Sequence, residues 1–289
     1  MNATRSSSSP CVITDAGELT EQVERARRAG KTIGIVPTMG ALHAGHLSLV
    51  DAARRQCDFT IVTIFVNPTQ FAAGEDFERY PRTLESDLES LAGREVDLVF
   101  APSTDSMYSK GHATYVEIEG PALVLEGEFR PGHFRGVATI VLKLFNIARP
   151  DRAYFGRKDY QQAMLMRRMV DDLNLPVRIE VCPIVREPDG LALSSRNVYL
   201  SASERQRALA ISQSLKLAGQ LVEQGTRDAS TILKQMHALL ADAQLAVDYV
   251  ALVDPETLEP VDTVNQPTLA AIAASVGKTR LIDNATIGP

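Results

Sequence analysis

The chain has 289 residues, of which 45% are hydrophobic and 23% charged, with a formal net charge of -6. That is the make-up of a globular protein with a well-buried core, in one large or two moderate domains. The acidic balance argues against a nucleic-acid partner, which leaves a basic footprint, and means that an anionic substrate has to be drawn in by local positive groups.

The opening stretch MNATRSSSSP holds Arg5 and four serines with no apolar segment behind them. It reads as a disordered tail over residues 1–10 and not as a secretory signal. No charge-free apolar run reaches the ~18 residues of a membrane span, so the expected location is the cytoplasm. Cys11, Cys57 and Cys182 form no close pair and no metal-ligand spacing, and read as reduced, partly buried thiols.

From there apolar runs alternate with helical patterns. Ile33 to Val36 is a short run ended by Pro37. Phe59 to Val66 is almost continuously β-branched and aromatic and stops at Asn67-Pro68. Val96 to Phe100 stops at Ala101-Pro102. Such runs suit parallel strands buried on both faces. Helical stretches fall at His46 to Gln56, Thr83 to Ala92, Val137 to Ala148 and Tyr160 to Leu173. The alternation predicts an α/β fold with a doubly wound parallel sheet, in which ligands bind at the carboxyl ends of the strands. The loops that matter are then those after Val36, Val66, Phe155 and Val185. Beyond about Val185 the pattern changes. Ser201-Ala-Ser-Glu204 fits a helix-opening capping box. Two long helices are expected at Ser203 to Glu223 and Ala229 to Ala243, then strands at Val247 to Val253, Leu269 to Ser275 and Thr279 to Ile282. This predicts a smaller α+β domain over 185–289, after a first domain over 1–184.

Four motifs carry chemistry. Pro37-Thr-Met39-Gly40-Ala41-Leu42-His43-Ala44-Gly45-His46 runs from a strand into a helix. Its glycines allow close backbone approach, the helix start offers N–H groups and a positive dipole end, and two histidines three apart can face one side of the first turn. That is a phosphate site with two imidazole donors. Two ordinary surface histidines in a loop are the plain alternative; a zinc site is the other, but no third ligand is evident nearby. Asn67-Pro-Thr-Gln70-Phe71 offers two amides that can donate to and accept from a hydroxy acid. Taken by itself it is also a plain Asn-Pro turn. Phe155-Gly156-Arg157-Lys158-Asp159-Tyr160-Gln161-Gln162 is a further strand end running into a helix. There Lys158 can neutralise phosphate oxygens and Gln162 can face the same cleft; a solvated basic turn with Asp159 as an N-cap is plausible by itself. Asp189-Gly-Leu-Ala-Leu193-Ser194-Ser195-Arg196-Asn197 supplies hydroxyls and a guanidinium for a mobile phosphate clamp. No G-x-S-x-G elbow surrounds its serines, and its position near the boundary suits an inter-domain loop as well. Arg130-Pro-Gly-His133-Phe-Arg135-Gly136 either lines the site or is a basic loop.

These motifs, with YPRT and the late TRLIDN, strongly resemble the pantothenate synthetase (pantoate–β-alanine ligase) family of the H-x-G-H nucleotidyltransferase superfamily, over about Lys31 to Asn284. The resemblance implies a Rossmann-like first domain that binds ATP and pantoate, a smaller lid domain and a homodimer. It implies that pantoate carboxylate attacks the α-phosphorus of ATP, giving pantoyl-adenylate and pyrophosphate, and that β-alanine then attacks the acyl carbon, giving pantothenate and AMP. By resemblance ATP is bound by Met39 through His46 (Met39, Gly40, Ala41, Leu42, His43, Ala44, Gly45, His46), by Gly156, Arg157, Lys158 and Asp159, by Val185, and by Leu193, Ser194, Ser195 and Arg196. Pantoate falls to Gln70 and Gln162, β-alanine to Gln70, and the proton donor is His46. Arg157 stands where the family usually carries an acidic or amide residue, and a backbone contact there is unaffected by the change. Charge on the α-phosphate and the leaving pyrophosphate is expected to be stabilised by His43, His46, Lys158 and Arg196. Mg2+ should ride on ATP with few or no protein ligands, Asp87 being the one carboxylate to consider. Two other functions fit parts of the pattern: a nucleotidyltransferase that leaves AMP on a phosphate ester, and a non-catalytic nucleotide-binding regulatory module.

Overall fold

The computed structural model describes residues 10–72 and 74–289, so the expected tail, Pro10 apart, lies outside the described residues. The chain divides into two compact units. One is formed by the described residues up to Ala122 with Arg130–Arg157 and Gln161–Pro183. The other is formed by Leu123–Phe129, Lys158–Tyr160 and Ile184–Pro289.

The first unit is built on six parallel strands. In chain order it runs β1 (Cys11–Ile13), α1 (Ala16–Arg28), β2 (Ile33–Thr38), α2 (Ala44–Gln56), β3 (Phe59–Ile64), α3 (Leu84–Leu91), β4 (Leu98–Phe100) and α4 (Thr104–Met107). The second unit takes the short helix α5 (Glu126–Phe129), and the first resumes with α6 (His133–Ala148), β5 (Arg152–Gly156), α7 (Tyr160–Asp172) and β6 (Arg178–Cys182). The strand order is β1-β4-β3-β2-β5-β6, with every pairing parallel. The order reverses between β2 and β5, which is the switch point of a doubly wound sheet, and the carboxyl ends of those two strands are where such folds take ligands.

Consecutive residues of each strand serve opposite faces, which is why the runs read as continuously apolar. Ile35, Ile61, Phe100 and Phe155 join one core with Leu19 and Val23 of α1, Phe134, Val141 and Leu144 of α6, and Leu165 and Met169 of α7. Val36, Val62, Val99 and Tyr154 join a second core with Leu49, Val50 and Ala53 of α2 and Leu91 of α3. Cys57 is buried there, and its Sγ lies 3.4 Å from the Tyr154 hydroxyl. Burial pushes its thiol up from the ordinary range, so it stays protonated and inert.

Several boundaries differ from the sequence-based expectation. β2 continues through Pro37 to Thr38 because its pairing with β5 covers only Gly34 and Ile35, so the missing proline N–H leaves no gap on that side. β3 stops at Ile64 and β4 begins only at Leu98. β6 ends at Cys182, before Pro183, so the strand expected to run to Val185 is shorter. α2 starts at Ala44 because His43 caps it. α6 starts at His133, four residues before the expected Val137, because Gly132 turns the chain at φ 82°. β1 and α1 have no counterpart among the predicted elements. Asp15 opens α1 by accepting the Glu18 N–H at 2.9 Å.

The second unit has α8 (Ala202–Glu223), α9 (Ala229–Asp242) and the antiparallel strands β7 (Ala246–Val253), β8 (Thr268–Val276) and β9 (Thr279–Ile287), in the order β7-β8-β9. The expected capping box is present: Ser201 caps α8 and Glu204 reaches back to the Ser201 N–H at 2.9 Å. Ile211, Leu215 and Ala218 of α8, Ile232 and Met236 of α9, and Ala270, Ile272 and Ala274 of β8 make its core. β9 runs past the expected Ile282 to Ile287. Asp283 and Asn284 interrupt the apolar pattern, yet both are buried and hydrogen-bonded.

Candidate active site

The loop after β2 is shaped by its own backbone. Gly40 and Ala41 both have positive φ, 86° and 51°, and a Cβ on Gly40 would sit 3.0 Å from Asp87 Oδ2. The Asp87 carboxylate, from α3, is buried and accepts the Ala41 N–H at 3.0 Å and the Leu42 N–H at 2.7 Å. These are charge-assisted bonds, stronger than neutral ones. They hold the loop in its left-handed turn, so the carboxylate that was the one metal candidate acts as a brace for backbone amides. Among the described residues no group of three or more His, Cys, Asp or Glu could hold a metal ion.

The loop delivers the chain into α2 through a capping box made of imidazoles. His43 is the N-cap and its Nδ1 accepts the Gly45 N–H at 3.1 Å, while His46 Nδ1 accepts the His43 N–H at 3.4 Å. The H-x-G-H spacing therefore has a structural meaning: the two histidines occupy the N-cap and N3 positions, where Ser/Thr and Glu/Gln usually stand. The ring centroids are 4.1 Å apart at 30°. Because Nδ1 of each ring accepts a backbone N–H, each proton sits on Nε2. The start of α2 thus couples the positive end of the helix dipole to two imidazoles of defined tautomer, an arrangement suited to an anion.

The turn after β3 lies beside this loop. Asn67 is buried and opens a short 3-10 turn, Pro68–Gln70. Its Nδ2 donates to Gln70 Oε1 at 3.0 Å and to the Gly136 carbonyl at 3.1 Å. Gln70 Nε2 lies 2.9 Å from Met39 Sδ, so the structure brings the amide motif and the glycine loop together. The Arg130–Gly136 motif supports this turn from below. His133 Nδ1 lies 2.7 Å from the Gln70 carbonyl, which can only accept, so Nδ1 is the protonated nitrogen and Nε2 faces Arg130 Nη1 at 3.1 Å. Arg130 is also bidentate with Glu75, at 2.6 and 2.9 Å. Burial alone would raise the Glu75 carboxyl, but the Arg130 hydrogen bonds and charge outweigh it and hold it below the ordinary range. That stabilisation is present above the ordinary glutamate range and is lost as pH falls through the lowered value. So Arg130 and His133 buttress the turn.

Gly136 is where α6 meets the turn. A Cβ there would fall 2.2 Å from the Thr69 carbonyl oxygen and 2.6 Å from the Gln70 nitrogen, both backbone atoms. Gly136→Ala is expected to displace the Pro68–Gln70 turn and cost about 2–3 kcal/mol. Thermal melting should show the loss, and a variant as stable as the parent with unchanged substrate use would contradict this packing.

β5 ends at Gly156, paired with Cys182 of β6. Arg157–Asp159 form a 3-10 turn leading into α7. In the first turn of α7, Gln161 is buried with its Nε2 on the Pro121 carbonyl at 2.7 Å, and Gln162 is half-buried.

In the second unit, the Lys158 carbonyl accepts from Asn284 Nδ2 at 2.8 Å, and Lys158 Nζ lies 3.7 Å from Asp159. The late TRLIDN motif is a set of braces on β9. Arg280 is bidentate to buried Glu126 at 2.7 Å and bonds Asp248 at 2.6 Å. Asp283 is bidentate to Arg186 at 2.6 and 3.0 Å. Asn284 fixes Lys158. Val185 and Leu193 pair across a small hairpin, Leu193 N–H to Val185 carbonyl at 3.0 Å, beside the Arg186–Ala192 bridge. Ser194 caps the following turn, Ser195–Tyr199, by accepting the Arg196 N–H at 3.2 Å. Asn197 Nδ2 ties that turn to Glu187 and the Ala192 carbonyl at 2.8 and 3.1 Å.

The first unit therefore gathers Met39 through His46 and Gln70 about the carboxyl ends of β2 and β3, with Gly156, Arg157 and Gln162 following β5. Lys158, Asp159, Val185, Leu193, Ser194, Ser195 and Arg196 belong to the second unit. Sequence reasoning left the bracing roles of Asp87, Arg186 and Asp283 unseen, since each acts across long sequence separations.

Residues 11–286 match the family model described as pantoate-beta-alanine ligase. The chain is 54% identical over 266 residues to pantothenate synthetase from Moorella thermoacetica, covering 92% of this chain and 94% of that protein. Among solved structures it is similar to pantothenate synthetase from Thermus thermophilus, with TM-score 0.92, 44% identity, and 96% and 100% of the two chains covered. It is also similar to pantoate-beta-alanine ligase from Francisella tularensis, solved in complex with beta-gamma ATP and beta-alanine. There the TM-score is 0.81 and the identity 34%, with 96% and 97% of the two chains covered.

Proposed function

This chain belongs to the pantoate–β-alanine ligase family, and from that premise we propose how its own residues perform the reaction. The enzyme is an ATP-dependent ligase that condenses (R)-pantoate with β-alanine to pantothenate, by way of pantoyl-adenylate, and releases AMP and pyrophosphate. A pantoate carboxylate oxygen forms a bond to the α-phosphorus as the bond to pyrophosphate breaks. The β-alanine amine then attacks the acyl carbon, loses a proton, and AMP leaves with the oxygen that came from the carboxylate.

The observation that carries the assignment of roles is the imidazole capping box. The start of α2 offers the phosphates backbone N–H groups and the Nε2–H donors selected at His43 and His46. His46 is the proton donor in this reading and His43 stabilises charge beside it. Met39, Gly40, Ala41, Leu42, Ala44 and Gly45 let the nucleotide approach the backbone. Gly156, Arg157 and Asp159 border it, with Val185 and Leu193. Lys158 and Arg196 supply cationic charge, and Ser194 and Ser195 supply short hydrogen bonds. The smaller domain over 185–289 acts as the lid that keeps water from the adenylate. Gln70 and Gln162 hold pantoate, and Gln70 also faces β-alanine. Mg2+ enters as part of the ATP co-substrate. The same reading includes a homodimer and a cytoplasmic location; no helix among the described residues is long and apolar enough to cross a membrane.

Pantoate labelled with 18O in its carboxylate should yield AMP carrying one 18O per turnover. AMP without label would exclude the acyl-adenylate.

A further inference from the structure

We propose that Tyr108 is a positioning residue for the acid pocket: acting through Asn67, it locks the Gln70 carboxamide with its nitrogen toward the ligand. This rests on the reading that Gln70 contacts pantoate.

The orientation of each amide follows from groups whose hydrogen-bonding roles are fixed. Asn67 stands between the Thr69 N–H, which can only donate, at 3.4 Å, and the Gly136 carbonyl, which can only accept, at 3.1 Å. Its oxygen must face Thr69 and its nitrogen Gly136. The second N–H of Asn67 Nδ2 then points at Gln70, and only the Gln70 oxygen can receive it, at 3.0 Å. Gln70 is left to present Nε2, which rests 2.9 Å from the Met39 thioether. Sulfur is a weak acceptor, so a carboxylate or hydroxyl oxygen displaces it readily. At this position the pocket recognises an acceptor oxygen and rejects a donor.

Tyr108 closes the chain. Its hydroxyl donates to Asn67 Oδ1 at 2.9 Å, beside the Thr69 hydroxyl at the same distance, and the two hydroxyls are 3.1 Å apart. The ring is packed by Phe65 and by the edge of His112, with centroids 6.3 and 5.0 Å away. Burial pushes the phenol up from its ordinary range, so it stays a donor. At the buried Asn67 both the oxygen and the nitrogen are fully partnered, which fixes one arrangement of the amide.

Two variants test this in the intact enzyme. Tyr108→Phe removes only the hydroxyl. It should raise KM for pantoate roughly three- to tenfold, leave KM for ATP within about twofold, and leave the melting temperature nearly unchanged. Gln70→Glu keeps the oxygen that Asn67 holds but replaces the donor by an acceptor, and should weaken pantoate use by at least roughly 30-fold. A second readout needs no substrate: the side-chain NH2 resonances of Asn67 and Gln70 in 15N spectra should shift in Tyr108→Phe. Unmoved resonances with a parental KM for pantoate would overturn the lock. So would equal rises in KM for ATP and pantoate, which would mean general loosening. Absence of AMP from the parent enzyme would overturn the ligase reading instead, and the resonances would then decide the lock alone.

Discussion

Replacing His46 by Ala is expected to slow pyrophosphate release from ATP and pantoate by about 10²–10³-fold, the loss usual when one preorganised donor to developing charge is removed. Two separate functions are removed at once, and they differ in size. One is the cap: His46 Nδ1 accepts the His43 N–H, and losing such a cap costs about 1 kcal/mol. The other is the Nε2–H donor held at the helix start. His46→Gln separates them, because glutamine is a customary residue at that position of a capping box and restores the acceptor without the imidazole. The glutamine variant should melt close to the parent and remain as slow as the alanine variant. A glutamine variant with parental rate would mean that His46 matters only as a cap, and the role assigned to it would fall.

Lys158→Ala should be the next most damaging change, lowering kcat/KM for ATP by about 10²-fold through loss of a cation that offsets charge on the phosphates. The fold should tolerate it. The only ion pair described for Lys158 is a long one to Asp159, which is 48% exposed, and exposed pairs contribute little. What holds Lys158 in place is its carbonyl, bonded to Asn284. Asn284→Ala should therefore give a smaller loss of the same kind, in kcat/KM for ATP, while Lys158→Arg keeps the charge and recovers part of the rate. Stopped-flow or coupled pyrophosphate assays across the three variants check the order. An Ala variant at parental rate would remove Lys158 from the phosphate-binding set.

What could be read from the residues was local. The buried strands announced themselves by apolar runs, and the loop from Pro37 to His46 by its glycines, its histidines and its place after a strand. The capping box at Ser201 was legible for the same reason. The relations that organise the site are not local. Asp87 braces Ala41 and Leu42 across an interval with no periodic signal, and Tyr108 reaches Asn67 across α3, β4 and α4. TRLIDN was recognisable as a motif, yet its meaning as three braces on one strand depends on partners at Glu126, Arg186 and Lys158. Pro37 looked like a strand end because proline usually is one. The register that leaves its nitrogen without a required partner belongs to the sheet and not to the segment. The edge strand β1 is only three residues long, too short for any pattern to stand out.

Activation of an acid on AMP and its transfer to an amine can be followed by measuring AMP formed from ATP, Mg2+ and (R)-pantoate with and without β-alanine. Sustained AMP release, matched by pantothenate, is expected only when β-alanine is present, with at most a single enzyme equivalent of pyrophosphate in its absence. A folded protein that binds ATP and releases no AMP with both substrates, or one that leaves AMP covalently on its final product, would contradict this chemistry.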